Sequence, residues 1–211
     1  MIDHYDWPGG REAMLRFGPD NGPVVVAALP LFEEANRTRA FMVTILRALA
    51  ERGIAGVLPD LPGQGESLLP TEQATLIDLR KGFAGACARF GKTYALAIRS
   101  GALLDTLAPV AARWHLVPTL GAELVRELGK MRAPHARNNY AGNTLSADLL
   151  AELEDAVPAT ARVVRFEGDA RNADIKLPGV PLWRRAEPDN DPALAVLLAD
   201  DIAAWVRACE T

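Results

Sequence analysis

Histidine is scarce in this chain: His4, His115 and His135 are the only three among 211 residues. A mechanism that needs an imidazole base, or a metal site built on histidine, has to draw on one of them. Cysteine is scarcer still, and Cys87 and Cys209 stand far apart, which excludes a disulfide framework and fits a reducing cytoplasm. No apolar run approaches the roughly 18 residues of a membrane span. The start, Met1-Ile2-Asp3-His4-Tyr5-Asp6, is polar and unlike a signal peptide, and reads as a mobile terminus. A basic excess is missing too. With 23 Lys and Arg against 27 Asp and Glu, the net charge is −4, which argues against a nucleic-acid footprint. No C-x-x-C, H-E-x-x-H, Walker or G-x-G-x-x-G pattern occurs, so neither a metal nor another cofactor is expected.

What is present has the balance of a globular domain, 49% hydrophobic and 24% charged. The length suits one domain over 1–211, large enough to bury about 70% of its unfolded surface. Arginine far outnumbers lysine and alanine is abundant, a bias that fits a bacterial genome rich in GC. Met14-Leu15-Arg16-Phe17 alternates and stops at the turn-rich stretch Gly18 to Pro23. Val24-Val25-Val26-Ala27-Ala28-Leu29 is apolar without alternation, as in a strand covered on both faces. Spacing predicts helices over 38–52 and 72–90, and an alanine- and leucine-rich helix from Gly101 to about 112. Strands are expected at 54–58, 93–98 and 114–117, between and after those helices. Further on, Ser146 caps a helix carrying Leu149, Leu150 and Leu153, and Val163–Phe166 and Val180–Trp183 read as strands. Asp191-Pro192 opens the final helix. The alternation implies right-handed crossovers and a mostly parallel, doubly wound sheet in three α/β/α layers. Residues 119–147 break the rhythm. With a helix at 121–131, they read either as a crossover with a long loop or as a reduced lid over the strand ends.

In such a sheet ligands sit beyond the carboxyl ends of the strands. Four loops lead there: Leu29 to Glu34, Asp60 to Ser67, Ala97 to Gly101, and Glu167-Gly168-Asp169. The second, Asp60-Leu61-Pro62-Gly63-Gln64-Gly65-Glu66-Ser67, resembles a characteristic loop of α/β-hydrolases, and the other three fall where that fold would put them. Pro30 to Arg39, with Pro181-Leu182-Trp183-Arg184-Arg185-Ala186-Glu187-Pro188, resembles the exosortase-A-associated hydrolase 2 type. That resemblance covers most of residues 14–208 and implies a link to bacterial exopolysaccharide and exosortase systems.

A member of this superfamily carries a nucleophilic serine on a G-x-S-x-G elbow, a histidine that takes its proton, and an acid that orients the histidine. Here the elbow reads Ala97-Ile98-Arg99-Ser100-Gly101, so the nucleophile's seat holds Arg99, and Ser100 falls one residue late. A guanidinium does not deprotonate in a protein and cannot attack a carbonyl. Asp169 suits the acid, but no histidine follows His135, and the slot after the last strand holds Glu187 to Asp191. Arg99 has two readings. It either pairs internally with Glu33 or Glu34, or clamps an anionic ligand with the backbone N–H groups of a helix opening at Gly101. Glu33 and Glu34 also suit a helix N-terminus facing solvent. Asp60 is expected to shape its own loop through backbone N–H groups, His115 to be a satisfied core residue, and His135, in the lid, to be the remaining candidate base. Two functions follow. One is a pocket protein working without a Ser-His-Asp triad, binding a small acyl or anionic ligand. The other is a divergent ester or thioester hydrolase using Ser100 and Asp169, with oxyanion donors from Leu31, Phe32, Ser100 and Gly101.

Overall fold

The computed structural model describes residues 1–132, 138–185 and 187–211. Two antiparallel strands, β1 (Ile2–Trp7) and β2 (Gly10–Phe17), lead into β3 (Val24–Ala28), β4 (Ala55–Pro59), β5 (Thr93–Ile98) and β6 (Ala112–Leu116). A short hairpin, β7 (Asn139–Tyr140) and β8 (Asn143–Thr144), stands apart, and β9 (Arg162–Phe166) and β10 (Ile175–Leu177) complete the main sheet. Its order is β1-β2-β4-β3-β5-β6-β9-β10, with every pair from β4 to β10 parallel. The helices are α1 (Glu33–Glu51), α2 (Leu76–Ala88), α3 (Gly121–Lys130), α4 (Ala147–Glu154) and α5 (Pro192–Glu210).

All five residues of β3 are buried, yet their side chains still divide by pleat. Val24, Val26 and Ala28 join the core formed with α2, α3 and α4, whereas Val25 and Ala27 join the one formed with α1 and α5. Burial on both faces is why the run shows no alternation in sequence. The two cores make the molecule three layers of helix, sheet and helix. Gly56 lets α1 lie close on β4, since a Cβ there would stand 2.9 Å from Leu46 Cδ2. The caps at Ser146 and Asp191 form as read, each side chain accepting from the backbone N–H three residues on.

Three expectations are corrected. The N-terminus is not a mobile tail but the edge strand β1, pinned by Tyr5, which is buried and donates from its hydroxyl to Asp60 O at 2.7 Å. Val180–Trp183 is not a strand. Pro178 and Pro181 interrupt the ladder there, β10 lies earlier, and Leu182–Arg184 is a single 3-10 turn. The helix expected from Gly101 to about 112 is replaced by two 3-10 turns, Arg99–Leu103 and Asp105–Leu107. Side chains take the carbonyls that a helical ladder would have used: Arg80 Nε donates to Leu103 O at 2.9 Å, and Arg113 Nη2 to Asp105 O at 3.0 Å. Tertiary bonding overrides local propensity here.

Candidate functional site

Phe32, Arg99 and Val117, which follow the neighbouring strands β3, β5 and β6, all hold positive φ, at 60°, 55° and 48°. Such conformations cost of order 1–3 kcal/mol each in side-chain-bearing residues and cluster where a site needs them. Arg99 therefore occupies a genuine elbow. Gly101 completes it: a Cβ there would stand 2.5 Å from Ala28 O and 2.6 Å from Leu29 O, so only glycine lets the turn nest against the β3–α1 loop. Ser100 faces inward. It is buried, and its Oγ accepts a 2.9 Å hydrogen bond from Leu31 N, the backbone donor expected to serve an oxyanion. Because the segment after Gly101 is not an α-helix, no helix dipole backs an anion at this point.

The Arg99 side chain, 9% exposed, bridges three parts of the fold. Its Nε and Nη2 donate to Glu34 at 3.4 and 3.3 Å, and Nη2 also donates to Glu127 Oε2 of α3 at 2.8 Å. The guanidinium lies 5.5 Å from the centre of the Trp183 ring. Of the two partners expected from sequence, Glu34 pairs with Arg99, whereas Glu33 accepts from Arg37 Nε at 2.8 Å. Burial pushes the Glu34 carboxyl above its usual range; Arg99 opposes that shift and Glu127 adds to it.

Asp169 follows β9 and faces cations, not an imidazole. Arg171 donates to it from its backbone N at 3.0 Å, Nε at 3.2 Å and Nη2 at 3.1 Å, and Arg165 from Nη1 at 2.8 Å. The Arg171 hydrogen bonds, more than anything else, hold this carboxyl well below the usual carboxylate range. Arg171 in turn stands 3.6 Å from Glu123 Oε2 on α3. Two adjoining basins share Arg99, Arg171, Trp183 and Arg184: one of about 320 Å³ under the Glu123–Glu127 side of α3, and one of about 360 Å³ against Val117, Phe166 and Val180. A third cleft, about 390 Å³, lies beyond Phe32 between Arg39, Asp60 and Gln64. Asp60 does not hold backbone N–H groups as expected. Its Oδ1 accepts from Arg39 Nη1 at 3.0 Å, because Arg39 reaches it from α1.

Neither of the described histidines reaches this site. His4 is exposed on β1, and His115 is fully buried on β6 with Nε2 2.7 Å from Asp105 Oδ2. His135 lies outside the described residues. The structure therefore brings together Arg99, Glu34 and Trp183, as well as Leu31, Ser100 and Gly101, but it places Asp169 with arginines. Glu127, Glu123 and Arg171 went unread. The one sequence signal for the two glutamates is their four-residue spacing on α3, and nothing local aims that face at Arg99. Among the described residues no three His, Cys, Asp or Glu side chains converge as a metal would require, and no helix is long and apolar enough to cross a membrane.

No protein-family model matches the chain, and no curated protein does. Solved structures match over nearly the whole length at low identity. Est1E from Butyrivibrio proteoclasticus, solved with ferulic acid bound, is 15% identical with a TM-score of 0.64, over 98% of each chain. Mouse alpha/beta hydrolase domain-containing protein 10 is 13% identical with a TM-score of 0.65, over 99% of each chain. The bottromycin epimerase BotH, in complex with bottromycin A2, is 14% identical with a TM-score of 0.57, over 96% of this chain and 98% of its own. The strand order, the elbow and these neighbours agree: the chain has the α/β-hydrolase fold.

Proposed function

We propose that this protein uses the α/β-hydrolase fold without a Ser-His-Asp triad, as a pocket protein for a small anionic or acyl ligand. The observation that carries the reading is Arg99: the residue on the strained elbow is a guanidinium, ion-paired to Glu34 and Glu127. It can neither attack a carbonyl nor pass a proton to a base. The 360 Å³ basin suits the ligand class, with Arg99 and Arg171 beside the apolar walls of Val117, Phe166, Val180 and Trp183. The fold alone decides nothing here, since structures of similar fold include a thermophilic esterase from Thermogutta terrifontis and an epimerase. The resemblance of Pro30–Arg39 and Pro181–Pro188 to the exosortase-associated type supports a role in a bacterial exopolysaccharide or exosortase system, and the two free cysteines support a cytoplasmic setting.

The competing reading makes Ser100 the nucleophile of an ester or thioester hydrolase. Its hydroxyl would first have to leave Leu31 N and reach the cleft. A fluorophosphonate probe and a series of p-nitrophenyl acyl esters separate the two. The expected result is no labelling and no turnover above background. Labelling that disappears in Ser100→Ala would overturn the pocket-protein reading.

A further inference from the structure

Helix α3 carries Glu123 and Glu127 one turn apart, and each meets a different arginine of the cleft. Side chains four residues apart on a helix stand about 5–6 Å apart at Cβ. Glu127 bonds Arg99 at 2.8 Å, while Glu123 stays 3.6 Å from Arg171, too far for a hydrogen bond. Neither arginine is saturated. Arg99 Nη1 makes no hydrogen bond among the described residues, and Arg171 Nη1 has only that long contact. Glu127 is more exposed than Arg99, 39% against 9%, whereas Glu123 at 30% is less exposed than Arg171 at 46%. Six basic side chains and four glutamates line this basin, so an anion arriving there meets a net positive lining.

We infer that Glu123 and Glu127 occupy the seat of a small dicarboxylate, and that such a ligand binds by displacing them from Arg171 and Arg99. The inference rests on the pocket-protein reading and names its ligand class. Exchange of one carboxylate for another leaves both guanidinium groups paired, so no buried charge is stranded at the moment of binding. Arg99 and Arg171 line one basin, so a ligand with two acidic groups on a short linker, as in succinate, answers both, whereas acetate answers only one. Glu34 keeps its place beside Arg99 throughout, because it belongs to α1 and not to the helix that yields.

The test is calorimetric titration of succinate, with acetate and inorganic phosphate alongside, into the wild-type chain and into Glu123→Gln/Glu127→Gln. Succinate should bind the double variant at least tenfold more tightly than the wild type. Adding Arg171→Met should abolish the gain, and acetate should gain less than threefold. Equal succinate affinity in the two chains, or an equal gain for acetate, overturns the inference. Should the double variant fail to fold, wild-type hydrogen exchange decides. Saturating succinate should speed exchange of the amides of 121–130, and unchanged or slower exchange there overturns the displacement. Probe labelling at Ser100 would refute the pocket-protein reading whichever way these titrations fall. Failure of the titrations without labelling would remove only the dicarboxylate.

Discussion

Asp105 and Asp169 both face basic side chains on the sheet, and their settings make them opposites. Asp105 lies in the turns after β5, fully buried, with Oδ2 2.7 Å from His115 Nε2 and Arg113 Nε 3.6 Å from Oδ1. Asp169 lies at the rim of the cleft, bonded to Arg165 and Arg171 and open to solvent on one side. An aspartate holding an imidazole is the pairing that orients a general base in acyl transfer. Here that pairing is sealed in the core, where His115 Nδ1 meets no hydrogen-bond partner among the described residues. The cleft has the elbow and the acid, but the residues set against that acid are arginines. The same residue types thus lie sealed in the core in one place and line a charged cleft in the other, and what separates the two settings is access to the strand ends.

Breaking the core pair should give the largest effect. Asp105→Ala strands His115 and removes the carboxylate beside Arg113, and should cost about 3–5 kcal/mol in urea denaturation. Asp169→Ala frees the half-exposed Arg171 and leaves the buried Arg165 with Asn172 O at 3.2 Å, and should cost about 1 kcal/mol. Equal costs would erase the distinction between core and cleft. An intermediate value is expected for Arg99→Ala, about 2 kcal/mol at neutral pH, because Glu34 then keeps a half-buried charge without its main partner. That variant should also remain inert toward p-nitrophenyl esters, since vacating the elbow creates no base.

The division between core and cleft also tracks what the residues disclosed before the fold was known. The uninterrupted run Val24–Ala28, the caps at Ser146 and Asp191-Pro192, and the elbow glycine at Gly101 act over a few residues, and each was legible. Arg99 in the nucleophile's seat, with Glu33 or Glu34 as its partner, followed from the order of the loops and the hydrolase resemblance, and the fold selects Glu34. Residues 101–112 misled because their alanine and leucine content favours a helix, whereas Arg80 and Arg113, distant in the chain, claim their carbonyls. Asp60 misled in the same way, its carboxylate taken by Arg39 from another element. Glu127 meets Arg99 across 28 positions, and periodicity within α3 cannot say which side chain its polar face will find. What escaped were pairings between elements, and those are the contacts that make the site.

The smallest effect, and the sharpest, lies in how two acids of the cleft respond to pH. Asp169 is held below its usual 3.8, so the folded state binds its proton less tightly than the unfolded chain does. Its contribution to stability is present above about pH 4 and is lost as pH falls toward the depressed folded value. Asp169→Asn should therefore flatten the acid limb of a stability curve below pH 4 and leave its shape above that unchanged. Glu34 is pushed above its usual 4.5, so the folded state holds its proton more tightly. The sign reverses: its favourable contribution is complete below about pH 4.5 and is lost as pH rises through the folded value. Relative to wild type, Glu34→Gln should gain stability as pH climbs from 4.5, with no change of slope below. Opposite slopes from two carboxylates, each paired with an arginine, would show that burial governs the one and hydrogen bonding the other. Parallel slopes would mean that Arg99 holds Glu34 as Arg171 holds Asp169, with burial no longer the larger effect on the Glu34 carboxyl.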